Sequence, residues 1–204
     1  MRAQPVLVLI VAIFFFAGAS TESFDRLWEA HVLRDIGLPG LGRLDPVVWF
    51  GIIGLVSSLL VATQVLIRRF ERSGQAGLTQ ILLVVSALQL GAAVVFALAG
   101  DFVLAVGAVW VLPHPFDRGS VRDTWLNEQI TDSSVRATVI SMTGQSDATG
   151  QVAGGPGLGG IATVFGLRGG LLSGAALLGP ALWLYGCAIR HAGAEPELLR
   201  AAKA

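Results

Sequence analysis

The sequence predicts an all-α membrane protein with six transmembrane helices in one domain, residues 1–204. Three observations carry this prediction. Six candidate helices near residues 5–30, 46–67, 78–99, 102–127, 134–165 and 171–189, most of them apolar, occupy most of the chain. Hydrophobic residues make up 53% and charged residues 14%, and the mean hydropathy is +0.69, whereas a soluble domain carries roughly 25% charge. The basic residues are also lopsided. If six helices alternate, Arg2, Arg68, Arg69, Arg72, Arg118, Arg122, Arg136, Arg190, Arg200 and Lys203 fall on one side. The other side holds Arg34, Arg43 and Arg168, offset by Asp35 and Asp45. By the positive-inside rule both termini are cytoplasmic, in a multi-pass protein of the cell (plasma) membrane.

The first helix is apolar from Pro5 to Ser20. This stretch also has the layout of a signal peptide, with basic Arg2 and a small-x-small site at Ala17-Gly18-Ala19. Helical periodicity continues through Phe24, Leu27, Trp28 and His31, which favours one helix whose last two turns are amphipathic. Gly37 to Arg43 is rich in turn residues, and Asp45-Pro46 is a helix-start signal. The second helix follows, then a basic loop at 68–74, then a third helix carrying Ser86 and Gln89. Gly100-Asp101 is a turn. The fourth segment is irregular: Phe102 to Leu112 is too short to span alone, and Pro113-His-Pro115 interrupts it before a charged continuation to Asn127. The fifth helix starts at Ser134. Gly166 to Gly170 is a short loop, and the sixth helix contains Pro180.

The fifth helix is the centre of the chain. After Arg136 it carries one charge, Asp147, and it is dense in glycine from Gly150 onward. In water each interior Gly costs about 1 kcal/mol against Ala, but in lipid glycines let two helices approach closely. Gly150 and Gly154 are four apart, as are Gly155 and Gly159, with Pro156 among them and Gly160 beyond. Arg136-Ala-Thr, Ser141, Gln145, Asp147 and Gly155-Pro156-x-x-Gly159-Gly160 resemble the penultimate helix of major facilitator superfamily transporters. The Gly-Pro-x-x-Gly-Gly core is similar to the signature of their proton-coupled antiporters. Glu22, Asp25-Arg26-Leu-Trp28, His31 and Trp125-Leu-Asn127 extend the likeness over nearly the whole chain. The resemblance implies two inverted three-helix repeats, helices one to three and four to six. Together they form the carboxy-terminal six-helix half of a fold of about twelve helices. It implies proton-coupled transport or efflux of a small molecule, and a second six-helix half as partner, from another chain or a second copy of this one.

The residues themselves point to where chemistry could sit. An ionisable group deep in a bilayer costs about 2.5 kcal/mol or more and marks a pathway by default. Asp147 lies about 16 Å along its helix from Arg136, near the midplane. It is the first proton-coupling candidate. The bland alternative is that it only fixes helix packing. Glu22 is the second candidate, with pairing to Arg26 at i,i+4 as its alternative. Gln145, Asn127, Ser141 and Arg122 are candidates for lining a substrate cavity, and Arg122 is otherwise a solvated cytoplasmic end. Gly150, Gly154, Gly155, Pro156, Gly159 and Gly160 form a packing or hinge motif. The glycine run lacks the Gly-Lys-Ser/Thr ending of a phosphate loop. Formal net charge is zero, which gives no electrostatic case for nucleic-acid binding. With one cysteine, Cys187, and three scattered histidines there is no internal disulfide and no metal-ligand spacing. No cofactor and no enzymatic activity are expected, since no nucleophile–base pair stands out. The alternative to transport is a non-transporting six-helix scaffold or an inactive fragment, which predicts tolerance of Asp147→Asn.

Overall fold

The computed structural model describes residues 5–40, 44–59, 77–111, 115–130 and 133–201. All regular structure among them is helical. Helix α1 covers Pro5–His31. It runs on into a π-helical turn, Val32–Ile36. That turn ends where Gly37 adopts φ 86° and its amide bonds the Val32 carbonyl at 2.8 Å. Ala17, Gly18 and Ala19 lie in the middle of this continuous helix.

Helix α2, Pro46–Leu59, begins at the predicted signal, with Asp45 Oδ1 accepting the Val47 amide at 3.0 Å. The rest of the predicted second helix, to residue 67, and the basic loop lie outside the described residues. Helix α3 is Leu78–Leu98. Within the predicted fourth segment the described residues form α4, Phe102–Val111, capped by Asp101 Oδ1 on the Leu104 amide at 2.9 Å, and α5, Pro115–Gln129. The predicted interruption at Pro113-His114 lies outside the described residues.

A 3-10 turn, Ser133–Val135, leads into α6, Arg136–Ala176. Inside α6, Gly166 has φ 79° and ψ 171° and the chain reverses there. The reversal is tight: a Cβ on Gly170 would lie 2.7 Å from the Ala162 Cβ. The sequence predicts a loop over Gly166–Gly170, whereas the structure leaves helical geometry at Gly166 alone. Helix α7, Leu178–Ala201, follows a second break at Leu177. Pro180 explains it, since it offers no N–H to the Ala176 carbonyl and its ring clashes with that group.

Three helical stretches are long and apolar enough to cross a membrane: Leu7–Ile36, Leu78–Leu98 and Ser133–Arg190. The last has 58 residues, about 87 Å if straight, and Gly166 folds it into a hairpin. Helix α1 packs against both arms. Val11 meets Ser146, Phe15 meets Gly150 and Ala19 meets Gly154, so α1 and arm 136–165 are parallel. Leu27 meets Gly170 and Ser23 meets Gly174, so α1 and the second arm are antiparallel. Helix α3 runs parallel to α1. Its Ile81, Leu82 and Val85 share a core with Ile10, Ile13 and Phe14, while its Phe96 packs on Phe24 and His31 at the other end. Helices α4 and α5 reach those two ends in turn. Ala105 and Ala108 join the Phe96 cluster, and Trp125 and Leu126 join the Ile81 cluster. Large apolar side chains remain outside, Val103 at 80% and Val152 at 75% exposure among them.

Candidate functional site

The site begins with a seam between α1 and arm 136–165. A Cβ on Gly150 would overlap the Phe15 carbonyl oxygen, and one on Gly18 would overlap the Asp147 carbonyl oxygen. One on Gly154 would come 2.9 Å from the Ala19 oxygen. Only glycine permits this backbone-to-backbone approach. Ser146 Oγ donates to the Val11 carbonyl at 2.7 Å and reinforces it. The second arm is tied by Ser23, whose buried hydroxyl donates to the Gly170 carbonyl at 2.9 Å. The seam thereby holds the Asp147 backbone against α1 and aims its carboxylate.

That carboxylate has two partners. Gln151 Nε2, one turn on, donates to Asp147 Oδ2 at 2.8 Å. Arg122 of α5 brings a guanidinium nitrogen to 3.7 Å from Oδ1. The Arg122 side chain is 16% exposed, and its guanidinium carbon stands 4.3 Å from the centre of the Phe14 ring. A cation over a ring in such a desolvated place contributes up to about 2 kcal/mol. Behind Arg122, a cavity of about 10 Å³ is bordered by Ala17, Ser86, Gln89 and Tyr185, room for about one water.

On the other side of Gln151 lies a cleft of about 510 Å³, lined also by Glu22, Arg26, Gly155 and Pro156. Glu22 is 13% exposed and ion-paired with Arg26, which is 70% exposed. A Cβ on Gly155 would sit 3.4 Å from Glu22 Oε1. Arg122, Asp147 and Gln151 thus form a chain of charge and hydrogen bonding from α5 to α6, and the Glu22–Arg26 pair of α1 borders the same cleft as Gln151. Of the two predicted carboxylates, Asp147 bonds Gln151 and Glu22 shares its cleft.

Other predicted residues lie elsewhere. Ser141 and Gln145 are exposed on the outer face of α6, with Gln145 Nε2 3.4 Å from Ser141 Oγ. Asn127 is exposed on α5 and donates to its own helix at Asp123 O, 2.8 Å. Arg122 is not a solvated end, because Phe14 and Asp147 enclose it. The glycine motif divides: Gly150 and Gly154 make the seam, Gly155 faces Glu22, and Gly159 and Gly160 meet nothing within 4 Å. Pro156 is exposed.

Sequence reasoning missed Gln151, Gly18 and Phe14. Gln151 could have been found four residues from Asp147, a spacing at which helix side chains meet. Gly18 stood inside the signal-like site. Phe14 carried no signal. Among the described residues no group of three or more His, Cys, Asp or Glu could hold a metal ion. Compared with known proteins, the chain matches no family model, no curated protein and no solved structure.

Proposed function

We propose that this chain is a six-crossing membrane protein and one half of a proton-coupled transporter that moves a small molecule. The observation that carries the reading is the Arg122–Asp147–Gln151 chain with Glu22 on the adjoining cleft: Asp147, Gln151 and Glu22 sit on helices with the length and apolarity to cross a bilayer, and Arg122 reaches Asp147 from the shorter α5. Ionisable groups are kept at such depth for ion or substrate pathways. The six crossings are α1, α2, α3, the α4–α5 pair and the two arms of the hairpin at Gly166. Their alternation supports two inverted three-helix units with both termini on the cytoplasmic side of the plasma membrane. In this reading Asp147 alternates between Arg122 and a proton. Protonation removes the charge that Arg122 faces, which loosens α5 from α6 and lets the helices rock. Glu22 exchanges a second proton in the cleft. The exposed Ser141 and Gln145 touch substrate and face the second six-helix half, supplied by another chain or a second copy.

A structural reading has one observation in its favour. Arg122 and Gln151 together engage both oxygens of Asp147, as a packing device would. Under that reading the protein is a membrane scaffold. The two separate in proteoliposomes loaded with a small-molecule extract and given a pH gradient, with the contents followed by mass spectrometry. Transport predicts gradient-dependent loss or gain of particular masses, abolished by Asp147→Asn with Glu22→Gln. Flux that survives this double neutralisation sinks the proton-coupling proposal. Absence of any protein-dependent flux supports the scaffold.

A further inference from the structure

Arg26 carries its charge deep within a helix. It stands about 15 Å of helix rise from Ile36, the end of a stretch long and apolar enough to cross a membrane. Its side chain is 70% exposed, whereas that of its partner Glu22 is 13% exposed. A guanidinium at such depth is not kept against hydrocarbon and faces protein or a water-filled cavity. Arg26 bonds Glu22 through Nε. Among the described residues nothing bonds its two terminal amino groups, which form a planar fork of N–H donors. Arg26 borders the cleft of about 510 Å³, a volume within the range of small-molecule sites, about 300–1,000 Å³. Gly155 keeps this cleft open. A Cβ there would stand 3.4 Å from Glu22 Oε1 and 3.8 Å from Arg26 Nε, and a larger side chain would crowd the pair. Val152 and Pro156, both exposed, give the cleft an apolar wall. They share a face of α6 with Ser141 and Gln145, about three turns on. The cleft therefore borders the face on which the transport reading places substrate.

We propose that this cleft binds a small organic monocarboxylate, with the carboxylate on the terminal fork of Arg26 and an apolar body against Val152 and Pro156. As a substrate assignment this rests on the transport reading; as a binding site it stands on the cleft alone. Three features select the class. A planar guanidinium fork matches a carboxylate with two parallel hydrogen bonds. The Glu22–Arg26 pair is neutral as a whole, so every charge on a ligand is left uncompensated at this depth. One negative charge is therefore taken more readily than the two of a phosphate. Glu22 is largely enclosed, with Oε1 engaged by Arg26 and Gly155 against it. The charge offered to a ligand is thus that of Arg26, which selects an anion over an amine.

The test is equilibrium dialysis of the full chain in lipid nanodiscs near neutral pH, with protein-free nanodiscs subtracted for partition into lipid. The probes are octanoate, cyclohexylacetate and naphthoate at millimolar concentration and below, each beside its own amide and amine. At least one carboxylate is expected to bind about tenfold or more tightly than its amide, the scale of one charge-assisted contact. Arg26→Gln removes that preference. Arg26→Lys, which keeps the charge and loses the fork, retains only part of it. Val152→Trp, at a residue 75% exposed, narrows the cleft without entering the core and also weakens the carboxylate about tenfold. It keeps the test decisive if Arg26→Gln does not fold. The proposal is overturned if no carboxylate is preferred over its amide or if the amines bind more tightly. Affinity unchanged by Arg26→Gln or by Val152→Trp overturns it too. Flux in proteoliposomes is a separate readout. Binding without flux removes the transport reading and leaves the site. Flux without any carboxylate preference removes the site and leaves transport.

Discussion

Substituting Gly150 by alanine tests the seam that positions Asp147. The new Cβ would overlap the Phe15 carbonyl oxygen and come 3.0 Å from the Ala19 amide nitrogen. Both neighbours are backbone, so neither can turn aside. The helices must separate by roughly 1 Å, and a gap of that size forfeits a quarter to a half of each dispersion contact it opens. The Gly18–Asp147 and Gly154–Ala19 contacts lie on the same seam and open with it. Overpacking of this kind costs about 1–3 kcal/mol. Replacing glycine by alanine in a helix returns at most about 1 kcal/mol. The expected net loss is about 0–2 kcal/mol. Gly160→Ala is the control, because its Cβ meets nothing within 4 Å and only the helix term remains. Reversible unfolding in mixed detergent micelles, followed by tryptophan fluorescence, measures both. The helix term is shared, so the two variants should differ by the overpacking cost, about 1–3 kcal/mol, with Gly150→Ala the weaker. If Gly150→Ala is as stable as Gly160→Ala, the close approach of α1 and α6 is wrong.

Other consequences can be read by the same assay. Arg122→Leu should cost about 1–2 kcal/mol, less than a fully buried pair because the Asp147 side chain is 29% exposed. A double-mutant cycle with Asp147→Leu should recover part of this, and zero coupling would refute the pairing. Ser23→Ala should cost about 1 kcal/mol by leaving the Gly170 carbonyl without its hydroxyl donor, and an unchanged midpoint would refute that bond's contribution. Pro180→Ala should join α6 to α7, with slow hydrogen exchange at the new amide of position 180. Fast exchange there would mean that proline is not what breaks the helix at Leu177.

What could be read in advance was local. Asp45 and Pro46 start a helix by capping and by a missing donor, and both effects act within a few residues. The break after Phe165 is visible because glycine accepts a φ of 79° at little cost. Asp147 and Glu22 stood out as charges within apolar runs. What could not be read was pairing across the chain. Arg122 looked like a solvated charge in a polar stretch. Its spacing from Asp147 says nothing about which face of α5 turns inward against Phe14. Glu22 had two readings, and the structure has the i,i+4 pair with Arg26 while its cleft also reaches Gln151. His31 seemed one of three scattered histidines, because its partners are a carboxylate one turn away and a carbonyl 65 residues on. Gly18 and Gly150 meet across two helices, a match that spacing along either helix alone does not reveal.

The central claim is that the α1–α6 seam and the Arg122–Asp147–Gln151 chain lie inside a six-crossing membrane body. Cys187 is the chain's one cysteine, so a Cys187→Ser background accepts single probes. Cysteines placed at Leu38, Gly100 and Leu167 sit at three turns of one end, and one at Ser133 sits at the other. A membrane-impermeant maleimide applied to intact cells should label the first three and reach position 133 only after permeabilisation. Labelling of position 133 together with Leu38 and Leu167 in intact cells, or of none of the first three, would contradict the six-crossing arrangement and the transport reading built on it.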